Sequence, residues 1–394
     1  MRVILNVDAI QPPLTGIGHY ALQLARGLRQ HPAIDDIRFF SAHRWLTDPE
    51  QALRANQALT YARHRVPFKK LALHLYHFAR SQVFRWQTRH IQDAVLHTPN
   101  YILMPFPGMA VTTVHDLSYL HYPQHHPRER VVFMERQMPR TLAQAAMIIT
   151  DAEFVRQELI ELLGVPPARV QTVPLGVENC FHPRAPDELA PVLTRYHLQN
   201  IPYLLVVATL EPRKNLSRLI DAYSRLPESL RQRHPLIIAG ACGWLNQKLE
   251  QRLESLERSD QIRRLGYIPQ DDLPPLYAGA WAFAFPSIYE GFGLPVLEAM
   301  RSGVPVLTSN CSSLPEVAGD AAILIDPNDM DSMTTGLEQL LTDNNWRATA
   351  IKQGLQQSRQ FSWEHCVEET IAVYRRALTG QSENKVPKQT TATG

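Results

Sequence analysis

Short apolar runs that alternate with segments of helical periodicity constrain the fold of this chain more than any other feature. Each run is four to eight residues long, and glycine or proline stands at nearly every junction. Parallel strands covered by helices on both faces have this appearance in a sequence. The pattern therefore predicts an α/β protein with a parallel sheet in each half of the chain. The strand-like runs are 2–8, 37–41, 94–97, 111–114 and 147–150 in the first half, and 203–209, 236–240, 262–268, 281–286, 304–309 and 321–325 in the second.

The organisation of the chain into domains follows from its length and from one linker-like stretch. A chain of 394 residues is long enough for two domains. The stretch 173–186 is rich in proline and glycine and is typical of a hinge. We expect a first domain at 1–180, a second domain at 181–362, an amphipathic helix at 363–380 and a disordered tail at 381–394.

Composition and charge exclude several classes of protein. The chain is 44% hydrophobic and 20% charged with a net charge of +2, as expected for a globular protein without a nucleic-acid partner. Its apolar runs are shorter than the roughly 18 residues that span a bilayer, and the first residues lack a signal-peptide pattern. The four cysteines have no paired spacing, so free thiols in a cytoplasmic location and no structural metal are expected.

One segment of the second half indicates phosphate chemistry. A strand-like run is followed by Glu290, by two glycines, and by a helix that begins near Pro295 and carries Glu298. Glycines at the end of a strand allow a ligand to approach the backbone closely. The free N–H groups and the dipole of the following helix favour a diphosphate. Glu298 is placed to accept hydrogen bonds from a ribose, and Glu290 lies at the edge where open α/β sheets bind ligands.

The segment 289–300, with its two glutamates, resembles the signature of the retaining family 4 glycosyltransferases. Three other segments resemble conserved parts of the same family. The segment 209–215 is similar to its phosphate-clamping turn, 12–20 to its N-terminal glycine loop, and 114–117 to its His-Asp pair. The resemblance extends from residue 3 to about residue 375. It implies the GT-B fold, which has two facing Rossmann-like domains and a C-terminal helix that crosses back to the first domain.

The resemblance also implies roles for individual residues. Arg213 and Lys214 would neutralise the diphosphate as it leaves. Glu290 would contact hydroxyls of the transferred sugar, and His115 would contact the sugar from the opposite domain. No side chain is assigned as a nucleophile. The donor-binding residues would be Gly16, Gly18, Gly291, Phe292, Gly293, Leu294 and Glu298.

The function implied is transfer of a hexose to a glycan or lipid-linked glycan acceptor, with retention at the anomeric carbon. The form of 209–215, Thr-Leu-Glu-Pro-Arg-Lys-Asn, most resembles family members that use GDP-mannose or a GDP-deoxyhexose, and this resemblance implies a mannose or rhamnose-type sugar on a GDP-linked donor. Such an enzyme would act in polysaccharide or lipopolysaccharide biosynthesis, without a cofactor or a metal ion.

Two other functions stay open. A glycoside hydrolase would use Glu290 and Glu298 as its pair of carboxylates. On one continuous helix, however, the two would lie about 12 Å apart, farther than the roughly 5–9.5 Å that hydrolases use. A non-catalytic nucleotide-binding protein is the second alternative, and it explains neither Glu290 nor His115.

The individual residues also have ordinary structural explanations. Taken alone, Glu298 is a solvated carboxylate on a helix, but its setting after a strand and two glycines favours a role in binding. Arg213 and Lys214 are then an exposed pair at the start of a helix. His115 fits a core histidine and Asp116 a turn cap. Two further positions, Gly16 and Gly18, fit a tight turn.

Polar side chains before two helices are predicted as caps. Asp329 and Asp331 match the Asp-x-Asp that binds metal in other glycosyltransferases, but they follow a proline and open a helix, where acids cap the first turn. Thr150 or Asp151 is predicted to cap the helix at 154–163.

The segment 51–92 contains eight lysine and arginine residues and no acidic residue, interleaved with large apolar side chains. This composition favours docking on an anionic membrane or binding of an acceptor phosphate. A helix packed on the first domain with a solvated basic face is the alternative. The residues proposed for contact are Arg65, Lys69, Lys70 and Arg80, and they would make the protein peripheral to the inner face of the cytoplasmic membrane.

Overall fold

A computed structural model describes residues 1–42, 44–53, 80–240, 253–254, 256–257 and 261–384, with side chains as far as 379. Two open sheets dominate it. The first has the strand order β3-β2-β1-β4-β5-β6-β7 and is parallel except for the antiparallel pair of β2 and β3. Its strands are β1 (Arg2–Asn6), β2 (Asp36–Ser41), β3 (Arg44–Leu46), β4 (Ala94–Thr98), β5 (Met109–Val114), β6 (Met147–Thr150) and β7 (Val170–Thr172).

The second sheet has the order β10-β9-β8-β11-β12-β13 and is parallel throughout. Both orders reverse direction beside the first strand of their sheet, which is the doubly wound arrangement. The strands are β8 (Leu204–Val207), β9 (Leu236–Ala239), β10 (Ile262–Gly266), β11 (Ala282–Phe285), β12 (Val306–Ser309) and β13 (Ala322–Ile325).

Helices connect the strands and cover both sheets. They are α1 (Gly16–Gln30), α2 (Ser118–His121), α3 (Arg128–Gln144), α4 (Glu153–Leu163), α5 (Pro186–Arg195), α6 (Leu216–Arg225), α7 (Glu228–Arg233), α8 (Leu273–Ala278), α9 (Leu294–Arg301), α10 (Leu314–Ala318), α11 (Met330–Thr342), α12 (Asn344–Ser358) and α13 (Trp363–Asn384). A further helical stretch covers 80–88. None of the helices in these described ranges is long and apolar enough to cross a membrane.

The two parallel sheets confirm the fold predicted from the alternating pattern. Every predicted run contains a strand. The reason is burial of apolar side chains, as in β11, where all residues are buried. Each large apolar side chain that leaves water there contributes about 1.5–3 kcal/mol. Two strands escaped prediction, β3 and β7, because each has three residues and neither is fully buried. The predicted boundary at residue 180 falls between β7 and α5.

The last helix crosses back to the first domain, as expected. α13 packs against α1, β5 and β6. The contact with α1 is close, since a Cβ atom on Gly27 would lie 2.4 Å from a methyl carbon of Val367. Tyr374 reaches the first sheet, where its hydroxyl lies 2.6 Å from Nδ1 of His97. Most of the predicted tail, 385–394, lies outside the described residues.

Candidate active site

The loop from β11 to α9 forms the centre of the site. Gly293 ends the loop with φ +124°, a conformation that glycine adopts without strain, and α9 begins at the next residue with Pro295 in its first turn. Ser313 Oγ lies 2.9 and 2.7 Å from the carbonyl oxygens of Glu290 and Phe292 and shares its one hydrogen between them. Ser313 therefore fixes the conformation of the loop. Pro295 has no N–H, and Val296 and Leu297 donate theirs to the carbonyl oxygen of Gly293, so Leu294 supplies the N–H at the start of α9 for an anion.

Arg213 and Lys214 meet the carboxylate of Glu290. They lie in the turn after β8, which is the neighbour of β11 in the sheet. Lys214 Nζ is 2.7 Å from Glu290 Oε1, and Arg213 Nη1 is 3.0 Å from Oε2. The three side chains are only 10–14% exposed, so the alternative interpretation of Arg213 and Lys214 as an exposed pair was wrong. The turn folds inward because a buried carboxylate offsets the loss of water around both cations.

The pKa values at this cluster reflect two cations that share one carboxylate. Burial alone would raise the pKa of Glu290, but Arg213 and Lys214 outweigh it and hold this pKa below its usual range. Burial lowers the pKa of Lys214, and the nearby Arg213 adds to that effect against the attraction of Glu290. The carboxylate is thus firmly ionised, while Lys214 is the member whose charge is least well compensated.

Glu298 lies one turn inside α9 in a different environment. Burial raises its pKa to about 7, although the Tyr277 hydroxyl and His19 both act to lower it. His19 belongs to α1 of the first domain, where it is also 3.3 Å from Glu178. Glu298 therefore stands where the second domain meets α1.

His115 follows β5 on the facing domain, and both of its ring nitrogens have protein partners. Nδ1 is 2.7 Å from Asp151 Oδ2, and Nε2 is 3.0 Å from the carbonyl oxygen of Pro99. A carbonyl accepts only, so Nε2 carries a hydrogen. Burial lowers the pKa of His115, but the Asp151 carboxylate outweighs burial and raises it. Contact between this ring and a sugar hydroxyl requires exchange of one of these two partners.

The next residue, Asp116, faces the second domain. Its Oδ1 accepts hydrogen bonds from the Tyr101 hydroxyl at 3.0 Å and from the backbone and side chain of Ser118 at 3.1 and 2.8 Å. Burial would raise its pKa, but Arg213 across the cleft and Ser118 lower it. Asp116 therefore caps the turn, as one interpretation of the sequence had it, and it also presents a carboxylate to Arg213.

The two domains touch at these residues. A Cβ atom on Gly291 would lie 1.9 Å from the carbonyl oxygen of His115, so only glycine fits there. A Cβ atom on Gly16, at the start of α1, would lie 3.8 Å from the Leu294 side chain at the start of α9. Two helix N-termini thus converge on one cleft, which is a favourable place for a diphosphate.

Comparisons with known proteins agree with this geometry. Residues 14–179 match the family Glycosyltransferase Family 4, and residues 197–357 match Glycosyl transferases group 1. The O-antigen chain mannosyltransferase B of Escherichia coli is 41% identical over 383 residues, which cover 95% of this chain and 100% of that protein. The chain belongs to the family 4 glycosyltransferases.

One further relative and one solved structure are also similar to this chain. The serotype-specific mannosyltransferase WbdA of Escherichia coli is 33% identical over 287 residues, covering 70% of this chain and 34% of WbdA. The structure of a sucrose-phosphate synthase from Thermosynechococcus elongatus superimposes with a TM-score of 0.73 over 96% of this chain and 100% of that one. At 20% identity the second likeness shows the fold alone. Family membership sets aside the hydrolase and the non-catalytic alternatives.

The remaining donor-binding candidates of this glycosyltransferase occupy different positions. Phe292 is buried with its ring 5.8 Å from that of Phe361, so its side chain packs in the core, while its carbonyl oxygen accepts from Ser313. Gly18 lies inside α1, where a Cβ atom would be 2.9 Å from the carbonyl oxygen of Ala9. Phe292 and Gly18 therefore support the conformation of the donor site by packing, Phe292 in the loop before α9 and Gly18 inside α1.

The acidic residues proposed as caps have two outcomes. Asp329 caps α11 as predicted, because its Oδ1 accepts from the backbone N–H groups of Asp331 and Ser332. The cap predicted for α4 was wrong. Asp151 pairs with His115, and the first N–H groups of α4 donate instead to Glu316 of the second domain. Within the described ranges, no three histidine, cysteine, aspartate or glutamate residues gather as a metal site requires.

The basic segment is only partly described. Arg65, Lys69 and Lys70 lie outside the described residues. Arg80 turns inward, where it forms an ion pair with Asp8 at the end of β1 and is 14% exposed. The exposed residues of the helical stretch 80–88 and the turn after it include Val83, Arg85, Trp86 and Arg89.

Several residues of this site escaped the sequence analysis. Asp151 follows β6 as His115 follows β5, and because these strands are neighbours the topology could have placed the two together. Tyr289 and Glu158 had no such signal, since they belong to different domains.

Proposed function

We propose that this glycosyltransferase transfers mannose from GDP-mannose to a growing glycan of the O-antigen type in lipopolysaccharide biosynthesis. The likeness to O-antigen chain mannosyltransferase B supports the sugar and the acceptor, because it spans the full length of that protein at 41% identity. The likeness to WbdA, also a mannosyltransferase, agrees with it. GDP as the nucleotide rests on the form of 209–215.

The observation that carries the proposal is the pair of cations held on Glu290. A bound diphosphate competes with Glu290 for Arg213 and Lys214, and its charge grows as the bond to the sugar breaks. Cations fixed in a buried site stabilise that charge better than cations in water. Glu290, released from them, accepts hydrogen bonds from hydroxyls of the mannose. Glu298 accepts hydrogen bonds from the ribose.

Retention at the anomeric carbon is part of the proposal. The acceptor hydroxyl attacks the face from which the diphosphate leaves, and the leaving phosphate oxygen takes the proton of that hydroxyl. No side chain is assigned as a nucleophile, which agrees with a cluster where Glu290 is tied to two cations.

We further propose that the reaction needs no divalent metal ion, because Arg213 and Lys214 supply two positive charges. Activity should survive EDTA. Loss of activity in EDTA that Mn²⁺ or Mg²⁺ restores would contradict this part of the proposal.

We also propose that the protein works at the inner face of the cytoplasmic membrane. The helical stretch 80–88 supports this, since Trp86 is 65% exposed and the Arg89 guanidinium lies 4.7 Å from its ring centre. Exposed tryptophan beside arginine is typical of surfaces that dock on anionic lipid.

Product analysis tests the chemistry. The enzyme would be incubated with a lipid-linked mannose-terminated acceptor and either GDP-mannose, a GDP-deoxyhexose, or UDP-glucose. We expect transfer from GDP-mannose alone, with the donor's anomeric configuration kept in the product by NMR. A product of the opposite configuration would overturn retention, and preference for either other donor would overturn the sugar.

A further inference from the structure

Tyr289, on the loop before α9, is a side chain of the second domain that reaches into the first. It is buried, and its hydroxyl makes two hydrogen bonds, both to the other domain. It accepts from the backbone N–H of Leu117 at 2.9 Å and donates to Glu158 Oε2 at 2.5 Å. A hydroxyl has one hydrogen and two lone pairs, so it satisfies both partners at once.

The first domain surrounds this tyrosine on several sides. The rings of His121, Tyr122 and Phe154 lie 5.3, 5.8 and 5.9 Å from the Tyr289 ring. His121 also fixes the partner carboxylate, because its Nε2 is 2.5 Å from Glu158 Oε1. The receiving pocket is thus built from α2, the turn after it and α4.

A second contact joins the same helix to the second domain. Glu316, on α10, accepts hydrogen bonds from the backbone N–H groups of Glu153 and Phe154, at 2.8 and 2.7 Å. These groups belong to the first turn of α4, whose N–H groups have no partner within the helix. α4 is therefore held at its beginning by Glu316 and farther along, at Glu158, by Tyr289.

The backbone of Tyr289 belongs to the donor site. Its carbonyl oxygen accepts from Arg213 Nη1 at 2.7 Å, and the next residue is Glu290. Tyr289 thus forms hydrogen bonds with the first domain through its hydroxyl and with Arg213 through its carbonyl oxygen. The loop that carries Glu290 and contacts Arg213 is therefore attached to the first domain through Tyr289.

We propose that Tyr289 is a positioning residue that couples closure of the two domains to the arrangement of Arg213 and Glu290, with Glu158 as its partner. This inference rests on family membership and holds whichever sugar is transferred.

Hydrogen–deuterium exchange on the full-length protein tests the closure. In Tyr289→Phe the amides of Glu153 and Phe154 keep their own acceptor, Glu316. Faster exchange of these amides would therefore report opening of the domain interface, and not the direct loss of the tyrosine hydroxyl. We expect exchange about tenfold faster, as for the loss of a buried hydrogen-bonding group. The matched control is Tyr267→Phe, at a tyrosine that is 57% exposed, and its exchange should equal that of the wild type.

Kinetics with GDP-mannose test the coupling. We expect kcat to fall about tenfold in Tyr289→Phe, with a smaller change in the KM for the donor, because Lys214 and the start of α9 hold the diphosphate from the second domain. Glu158→Ala should reproduce the loss, and the double variant should be no slower than either single variant. Glu158→Gln, whose amide oxygen still accepts from the tyrosine, should restore most of the rate.

Three results would overturn the inference: wild-type exchange at Glu153 and Phe154, an unchanged kcat, or a raised KM with kcat unchanged. If Tyr289→Phe does not fold, Glu158→Ala supplies the same measurements, and normal exchange in it is equally decisive. If GDP-mannose is not a substrate of the wild type, the donor proposal fails while the exchange test stands unaffected.

Discussion

Lys214 Nζ lies 2.7 Å from Glu290 Oε1 within a site that is almost closed to water. The cation proposed to receive the leaving diphosphate is therefore already paired with the carboxylate proposed to hold the sugar. Donor binding must therefore exchange one partner of Lys214 for another.

Replacement of either cation should reduce turnover and also lower stability. Arg213→Ala or Lys214→Ala should reduce kcat by about 10²-fold, the size expected for a contact to developing charge. Because both side chains are buried, each change should also lower the free energy of unfolding, by up to about 3 kcal/mol. Arg225→Ala, at an exposed arginine of the same domain, is the control for both measurements. Wild-type kcat in both variants would contradict the assignment.

Removal of the competing carboxylate should separate binding from catalysis. In Glu290→Gln neither cation has a charged partner at this position, so a diphosphate binds them without displacing a carboxylate. We expect GDP to bind at least as tightly as in the wild type by calorimetry, while kcat falls by about 10²-fold or more. Markedly weaker GDP binding would mean that Glu290 supports the nucleotide and not the sugar.

The stability of the protein should depend on pH through Glu298. Its pKa is about 7 in the folded chain and lies near 4.5 in an unfolded chain, so the folded state binds this proton more tightly. The resulting stability is fully present below about pH 4.5 and is lost as the pH rises through 7, by roughly 3 kcal/mol in all. Glu298→Gln should remove this dependence in thermal unfolding between pH 5 and 8. Glu338→Gln, at an exposed helix position, should leave it unchanged.

His115 should prove structurally important, whatever it contributes to sugar binding. His115→Ala leaves the buried carboxyl of Asp151 without its partner, which should lower the free energy of unfolding by about 1–3 kcal/mol. A side chain that only touched the sugar would lose activity without this penalty. Thermal unfolding of the variant decides between the two, with Asp151→Ala expected to show a similar loss.

The sequence predicts contacts within a domain far better than contacts between domains. Arg213 and Glu290 follow β8 and β11, which are neighbours, so the alternating pattern already places them at one edge of one sheet. Burial of the cations was not predictable, because the local composition around Arg213 is that of an exposed turn.

Contacts between the domains had no signal in the chain. Glu316 accepts a hydrogen bond from the amide of Glu153, which lies 163 residues away in the sequence, and no periodicity connects the two positions. The same holds for Tyr289 and Glu158. Such pairs depend on how two separately folded sheets face each other, whereas capping preferences and hydrophobic periods describe one element at a time.

Docking on an anionic membrane is the last prediction, and the structure changes the residues that should be tested. Arg80 is unsuitable because it pairs with Asp8 inside the first domain. Trp86, Arg85 and Arg89 are exposed on the described part of the segment. Each cation near an anionic surface is worth about 1 kcal/mol, and salt screens the attraction over about 10 Å at 0.1 M.

Co-sedimentation with liposomes of phosphatidylglycerol and phosphatidylethanolamine should therefore rise with the anionic fraction and fall as NaCl is added. Arg85→Glu with Arg89→Glu should reduce the bound fraction by about tenfold or more at low salt, because two attractions become repulsions. Arg218→Glu with Arg233→Glu makes the same change of charge on the second domain and should bind as the wild type does. A variant that combines Arg65→Glu, Lys69→Glu and Lys70→Glu forms a separate arm of the same experiment. Equal binding of all these variants at low salt would mean that the segment 51–92 has only a solvated basic face.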